Sequence, residues 1–254
     1  MKRHFIIPDT QCRKGVPLHH LDWVSRAIVY YRPDRIIHLG DNWDMPSLSQ
    51  HDPIGSLKRE GENYRDDVEA GNAGLARIAH EARKIITRNG RKGSWHPTWD
   101  FLLGNHEQRI ERAINADPKY RSTIGYRDLD TRGWTVHGYL DRLWYEGVVY
   151  SHFFQSQFSP HAIAGSIDNR LNKIGESFVQ GHQQGFQYGN RVFPTGKTRH
   201  GLVCGSCYLH NETYKGAQGN DHWRGVVVLN EVRDGDYDIM PLSMSFLQRR
   251  FGRK

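Results

Sequence analysis

The first forty residues of the chain contain a strand, a helix and a second strand, in that order. Residues 4–8 (HFIIP) form a short apolar run with β-branched side chains, which is typical of a buried strand. Residues 18–31 carry apolar side chains at helical spacing, and the following Arg32-Pro33 ends a helix. Residues 35–39 (RIIHL) form a second apolar strand. Because this order requires a crossover between parallel strands, it predicts a βαβ unit and an α/β fold.

The remaining sequence divides into a helical part and a β-rich part. Residues 75–86 carry apolar side chains at spacings of three and four, which predicts an amphipathic helix that ends near Asn89-Gly90. Residues 99–103 (WDFLL) predict a third strand, and residues 107–115 predict a short helix. After Gly133 the sequence predicts strands at residues 134–136, 143–145, 148–151, 178–180, 201–204 and 226–230, with one helical stretch near residues 161–174.

A βαβ half followed by a β-rich half predicts two packed β-sheets flanked by helices. The chain has no internal repeat and no linker rich in Pro and Ser, so we expect one domain over residues 1–254. We expect residues 45–98 to include a cap or an insertion, and residues 248–254 (QRRFGRK) to form a basic, mobile tail.

The composition favours a cytoplasmic protein with a polyanionic partner. No run approaches the roughly 20 apolar residues of a membrane-spanning helix, so we expect no membrane segment. Three cysteines do not build a disulfide framework, and the short apolar run near the N-terminus does not predict a signal peptide. The 35 Lys and Arg residues outnumber the 28 Asp and Glu residues, and the resulting charge of +7 favours ligands that carry phosphate.

Five polar clusters follow predicted strands at the point where each strand ends. They are Asp9-Thr10-Gln11, Gly40-Asp41-Asn42-Trp43-Asp44, Gly104-Asn105-His106-Glu107, His152, and Gly181-His182-Gln183-Gln184. Loops at the carboxyl edge of an open α/β sheet converge, so we expect these clusters to meet in space. Carboxylates, carboxamides and imidazoles are the ligands that divalent cations select. The sequence therefore predicts a metal site at this edge.

The order of these clusters resembles the motif order of the calcineurin-like metallophosphoesterases. Asp-x-Gln, Gly-Asp-x-x-Asp, Gly-Asn-His-Glu, a single His after a strand, and Gly-His-x-Gln follow one another between residues 9 and 184. The run Cys204-Gly205-Ser206 is similar to the Gly-Ser turn that follows the last metal motif in that family. The resemblance implies an αββα sandwich with a two-metal centre at the strand ends.

The resemblance also implies a role for each matched residue. The first metal site would comprise Asp9, Gln11, Asp41 and Gln184. The second would share Asp41 as a bridging ligand and add Asn105, His152 and His182. His106 matches the family's proton donor, and Asp44 matches the residue that orients it. The implied reaction is attack of a metal-bridging hydroxide on a phosphate ester.

Two positions depart from the family pattern, and both belong to the first metal site. The family usually has His where this chain has Gln11 and Gln184. A carboxamide oxygen is a weak, hard ligand, so we expect lower affinity for Zn and a preference for Mn, with Mg, Fe or Zn as alternatives. We expect the first site either to fill only when substrate phosphate supplies further oxygen ligands or to stay empty, which gives one or two cations per chain.

Basic side chains near the motifs indicate the substrate class. Arg109 and Arg112 lie within two predicted helical turns of His106, where a guanidinium can bind phosphate with two hydrogen bonds. Together with the net charge, this favours phosphodiesters of nucleic acids or nucleotides. Two alternatives remain open. One is a phosphomonoesterase acting on nucleotides or other small phosphate esters, and the other is a non-catalytic protein that binds nucleic acid.

Overall fold

The computed structural model describes residues 2–50, 61–89, 95–212 and 215–252. The strands are β1 (Lys2–Ile7), β2 (Arg35–His38), β3 (Thr98–Leu102), β4 (Thr135–His137), β5 (Leu143–Tyr145), β6 (Val148–Ser151), β7 (Gln155–Ser156), β8 (Ser159–Ala162), β9 (Ser177–Gln180), β10 (Phe186–Val192), β11 (Thr198–Cys204), β12 (Gly225–Arg233) and β13 (Asp236–Ser243). The helices are α1 (His20–Tyr31), α2 (Tyr64–Asn89), α3 (Arg109–Ala116), α4 (Ile167–Ile174), α5 (Gly216–Gly219) and α6 (Met244–Phe251).

The strands form two mixed sheets and one hairpin. The first sheet has the order β13-β12-β1-β2-β3-β4, in which β1 to β4 run parallel and β12 runs antiparallel to both of its neighbours. The second has the order β10-β11-β9-β6-β5, in which β6, β9 and β11 run parallel. Strands β7 and β8 pair as the hairpin. The predicted βαβ unit is confirmed, since β1 pairs in parallel with β2 across α1.

The two sheets pack face to face, and helices cover their outer faces. Ile6 and Ile37 of the first sheet share one buried cluster with Tyr150 and Val179 of the second. A second cluster joins α1, α2 and α6 to the other face of the first sheet. A third places Leu171 of α4 against the other face of the second sheet. The predicted α/β class with sheets flanked by helices is therefore confirmed.

The segment expected to form a cap or an insertion contains a helix of the outer layer. In α2, Leu75, Ile78 and Ala82 share a buried cluster with Val24 and Ile28 of α1. Their spacing of three and four residues places them on one face, which is why the helix packs along its length. The other parts of that segment at residues 51–60 and 90–94 lie outside the described residues.

Two local predictions were wrong. The helical stretch expected from residue 161 begins only at Ile167, because His161 lies in β8 and the Ser166 side chain caps the helix by accepting a hydrogen bond from Asn169 N (3.3 Å). The C-terminal segment is not a mobile tail as far as residue 252, since α6 buries Leu247 and Phe251. Arg26 of α1 also donates a 2.5 Å hydrogen bond to the carbonyl oxygen of Phe251.

Within the described ranges, no helix is long and apolar enough to cross a membrane.

Candidate metal centre

The polar clusters predicted at the strand ends lie at one edge shared by both sheets. β1, β2 and β3 of the first sheet and β6 and β9 of the second end there. His152, after β6, places Nδ1 2.7 Å from the carbonyl oxygen of Leu39, after β2. The backbone N–H of His182, after β9, donates a 3.0 Å hydrogen bond to Asp9 Oδ1, after β1. The two sheets are thus joined at the site by direct hydrogen bonds.

Four of the predicted ligand residues converge on one buried point. Asn105 Oδ1 lies 2.9 Å from His152 Nε2 and 2.7 Å from His182 Nδ1. His152 Nε2 also lies 3.4 Å from Asp41 Oδ2. Among the residues described, Asp41, His152 and His182 form the one group of three acidic, His or Cys side chains close enough to share a metal ion. One carboxylate, one amide oxygen and two imidazoles fit a divalent first-row cation.

The orientation of His152 suits metal binding. The carbonyl oxygen of Leu39 only accepts hydrogen bonds, so Nδ1 of His152 carries a proton and Nε2 faces the cluster. Burial acts to lower the pKa of His152, but the carboxylates of Asp41 and Asp9 outweigh burial and raise it to about 9. The site therefore holds a strongly negative potential that favours a cation.

Three buried carboxylates produce this potential. Burial and the charge of Asp41 raise the pKa of Asp9 to about 6 and that of Glu107 to about 7. Burial also acts to raise the pKa of Asp41, but His152 and His106 outweigh it and hold that pKa well below its usual value. Carboxylates this deeply buried are stable only with compensating positive charge or hydrogen bonds.

Glu107 holds the backbone around the cluster, a role that the sequence analysis did not assign. Its carboxylate accepts hydrogen bonds from the backbone N–H groups of Asp41 (2.9 Å), Asn42 (2.7 Å), Trp43 (2.9 Å) and Gly104 (2.7 Å). Its position directly after His106 in the Gly-Asn-His-Glu motif was the available signal.

Gly104 brings the loop after β3 against the loop after β2. A Cβ atom at position 104 would lie 2.1 Å from Asp41 Oδ1, so no larger residue fits beside the carboxylate. Asp41 itself has a φ of 53°, a left-handed conformation that is uncommon for residues other than glycine. This strain is held in place by the hydrogen bonds to Glu107.

The other residues predicted for the first metal site do not all present a free oxygen atom to a ligand. Asp9 Oδ2 and Gln11 Oε1 are buried and have no hydrogen-bond partner among the described residues. Gln184 Oε1 instead accepts a 2.6 Å hydrogen bond from the Tyr208 hydroxyl. Only Asp9 and Gln11 therefore present uncommitted oxygen atoms for a ligand on this side.

His106 and Asp44 form a close pair beside the cluster. Asp44 Oδ1 lies 2.8 Å from His106 Nδ1, and His106 Nε2 lies 3.8 Å from Asp41 Oδ2. Burial acts to lower the pKa of His106, but Asp41 and Asp44 outweigh it and raise that pKa above its usual value. Arg13 donates hydrogen bonds to Asp44 Oδ2 (2.6 Å) and to Glu212 (2.9 Å). Asp44 thus orients the His106 imidazole, and Arg13 in turn fixes the Asp44 carboxylate.

The two predicted phosphate-binding arginines occupy different places. Arg109 donates hydrogen bonds to the carbonyl oxygens of Asp44 (2.8 Å) and Met45 (3.1 Å), and its second nitrogen lies 3.4 Å from His106 Nε2. Arg112 is exposed on α3 beside Tyr139, whose ring contacts Phe153 next to His152. Arg109 therefore belongs to the site, and Arg112 lies at its rim.

Residues 206–212 and Lys215 form a further wall that the sequence analysis did not predict. The backbone N–H of Cys207 donates a 2.8 Å hydrogen bond to the carbonyl oxygen of Asp9, which fixes this segment beside the site. Lys215 Nζ donates a 3.2 Å hydrogen bond to the Tyr208 hydroxyl, and Glu212 binds Arg13. The Gly205-Ser206 turn was the only local signal for this wall.

No protein-family model matches this sequence, and a search of curated proteins found no match.

Proposed function

We propose that this chain is a metal-dependent phosphoesterase of the calcineurin-like type, acting on phosphodiesters of nucleic acids or nucleotides. The observation that carries the proposal is the convergence of Asp41, Asn105, His152 and His182 beside a His106 that Asp44 holds. Two mixed sheets with helices outside and the ligands at their strand ends are compatible with the αββα sandwich that the resemblance implies.

The four converging side chains would hold a divalent cation. When bound, the cation lowers the pKa of a water molecule and neutralises charge that develops on the phosphate oxygens. His152 is held by Leu39 so that Nε2 points to the ligand position, and the backbone N–H of His106 holds Asp41 through a 2.9 Å hydrogen bond to Oδ1. The carboxylate and amide oxygens suit Mn or Mg, whereas the two imidazoles also suit Fe or Zn.

His106 would donate the proton to the departing alkoxide. Asp44 binds Nδ1, which leaves Nε2 directed toward the ligand cluster. The carboxylates of Asp41 and Asp44 outweigh burial and raise the pKa of His106, which is the direction that favours the protonated imidazole of a general acid. Arg13 and Arg109 restrain the Asp44 side chain and backbone, so the acid is oriented before substrate binds.

Charge supports a phosphodiester of a nucleic acid or nucleotide as the substrate. The chain carries a net charge of +7, and the exposed Arg112 lies at the rim where a longer polyanion would pass. Phosphate contacts of this kind give affinity that falls as salt concentration rises.

The test is hydrolysis of a generic phosphodiester and of the matching phosphomonoester with Mn, Mg, Zn or a chelator. We expect Mn-dependent diesterase activity that His106→Ala abolishes and that the exposed His161→Ala leaves unchanged. A preference for the monoester would favour the phosphomonoesterase. If neither ester is hydrolysed with any metal, the enzymatic proposal is overturned, and binding of nucleic acid becomes the function to test.

A further inference from the structure

The side of the centre next to Asp9 and Gln11 lacks the ligands that a second cation needs. Both Asp9 Oδ2 and Gln11 Oε1 are buried and unpartnered among the described residues, so this side requires positive charge. Gln11 and Gln184 are neutral, however, and Gln184 Oε1 is bound to the Tyr208 hydroxyl at 2.6 Å. Asp9 is therefore the only charged ligand that is not shared with the cluster around His152.

A fixed ammonium lies beside this side of the centre. Lys215 Nζ donates a 3.2 Å hydrogen bond to the same Tyr208 hydroxyl that binds Gln184. The side chain is half-buried, and its charge acts on Asp9. Burial lowers the pKa of Lys215, while Glu212 and Asp9 act to raise it. The ammonium is therefore within electrostatic reach of the Asp9 carboxylate.

Lys215 keeps its charge available, unlike the other basic groups of the site. Arg13 is bound by the carboxylates of both Asp44 and Glu212, and Arg109 is bound to backbone carbonyls. Lys215 forms no ion pair with any carboxylate in the described ranges. A phosphate oxygen that enters the site can therefore accept a charge-assisted hydrogen bond from the Lys215 ammonium.

An ammonium at this place disfavours a second divalent cation. Like charges repel each other more strongly in a poorly hydrated site than in water. The neutral amides of Gln11 and Gln184 offer little to compensate that repulsion.

We propose that Lys215, held by Tyr208, supplies the positive charge on the Asp9 side by binding a non-bridging phosphate oxygen, so that the chain works with one divalent cation. This inference rests on the proposed phosphoesterase function. It assigns the cation to Asp41, Asn105, His152 and His182, and it makes Lys215 a substrate-binding residue.

The first test is the number of cations bound by the full chain. We expect one Mn per chain after equilibrium dialysis, measured by elemental analysis. Binding of two Mn per chain with similar affinity would overturn the proposal.

The second test is binding of inorganic phosphate to the Mn-loaded chain by titration calorimetry. We expect Lys215→Met to weaken phosphate binding by about tenfold or more, since a hydrogen bond to a charged group is lost. Lys215→Arg keeps the charge, so we expect it to retain most of the affinity. Lys173→Met, an exposed change on α4, is the matched control and should bind phosphate like the unaltered chain. Equal phosphate affinity in Lys215→Met would contradict the inference.

These readouts separate this inference from the proposed function. One Mn per chain with Lys215-dependent phosphate binding, but without ester hydrolysis, would support the Lys215 site and overturn the enzymatic proposal. Ester hydrolysis with two Mn per chain, or with a phosphate affinity independent of Lys215, would support the enzymatic proposal and overturn the Lys215 site. Thermal unfolding followed by circular dichroism shows whether Lys215→Met is folded, and Lys215→Gln, which also removes the charge, carries the test if it is not.

Discussion

The Oδ1 atom of Asp44 lies 2.8 Å from Nδ1 of His106, and both side chains are buried. The second oxygen of the same carboxylate accepts a 2.6 Å hydrogen bond from Arg13. His106 and Asn105 are neighbours in the chain, and Asn105 Oδ1 contacts both His152 and His182 of the ligand cluster. The loop after β3 thus provides a ligand and a candidate acid from consecutive residues.

Asp44→Asn removes the charge that orients His106 and raises its pKa. We expect kcat to fall by about a hundredfold, within the usual range for general acid catalysis. The affinity for Mn should not change, because Asp44 lies outside the ligand cluster. Steady-state kinetics and Mn titration of the same preparation measure both quantities. Asp130→Asn, which alters a surface pair with Arg132, is the control. An unchanged kcat would show that Asp44 does not support the proton donor.

Gly104→Ala places a methyl group against the Asp41 carboxylate. The new Cβ would lie 2.1 Å from Asp41 Oδ1, so the carboxylate or the loop must move. We expect the affinity for Mn to fall by about tenfold or more, since one displaced ligand is lost. Gly185→Ala is the control, because a Cβ there meets no atom within 4 Å although it lies three residues from His182. Equal Mn affinity in both variants would show that the loop at Gly104 does not lie against the Asp41 carboxylate.

The double change Gln11→His and Gln184→His tests whether ligand chemistry limits the cation number. Imidazoles bind Zn and Mn more strongly than carboxamides do. We expect the double variant to bind a second cation that the unaltered chain does not hold. Elemental analysis after equilibrium dialysis gives the stoichiometry. If the stoichiometry stays at one, the ammonium of Lys215 or the loop geometry excludes the second cation even when imidazoles are present.

His4 makes the stability of the fold depend on pH at a place far from the metal cluster. Burial, followed by the charge of Arg35, lowers the pKa of His4 to about 4, against about 6.5 in an unfolded chain. The neutral form is native, so its contribution is complete above about pH 6.5 and is lost as the pH falls toward 4. The loss should reach about 3 kcal/mol of unfolding free energy.

Denaturant unfolding between pH 7 and pH 4 measures this dependence. His4→Gln should flatten the curve, whereas the exposed His161→Gln should leave it unchanged. The buried His20 and His38 also have lowered pKa values, so part of the dependence remains in both variants. Equal slopes for His4→Gln and the unaltered chain would contradict the assignment.

Segments with a clear local pattern were predictable, and those without one were not. β1, β2 and β6 are short apolar runs followed at once by polar residues, and the structure has them at the expected places. β10 (FQYGNRV) is an edge strand with exposed polar residues, and β13 carries Pro241 at the other sheet's edge. Edge strands tolerate such residues because one side needs no pairing, so their sequences resemble loops.

The sequence alone determined the parallel βαβ beginning and the types of ligand at the strand ends. Each of these features depends on a local pattern. The ligand residues follow their own strands within a few positions, and they are Asp9, Asp41, Asn105, His152 and His182. Only the tertiary structure decided which ligand atoms meet. It bound Gln184 to Tyr208 and brought Lys215 to the same hydroxyl, because pairing of β9 with β11 places residues distant in sequence side by side. Local periodicity encodes each strand, but contacts between strand ends depend on the packing of the whole chain.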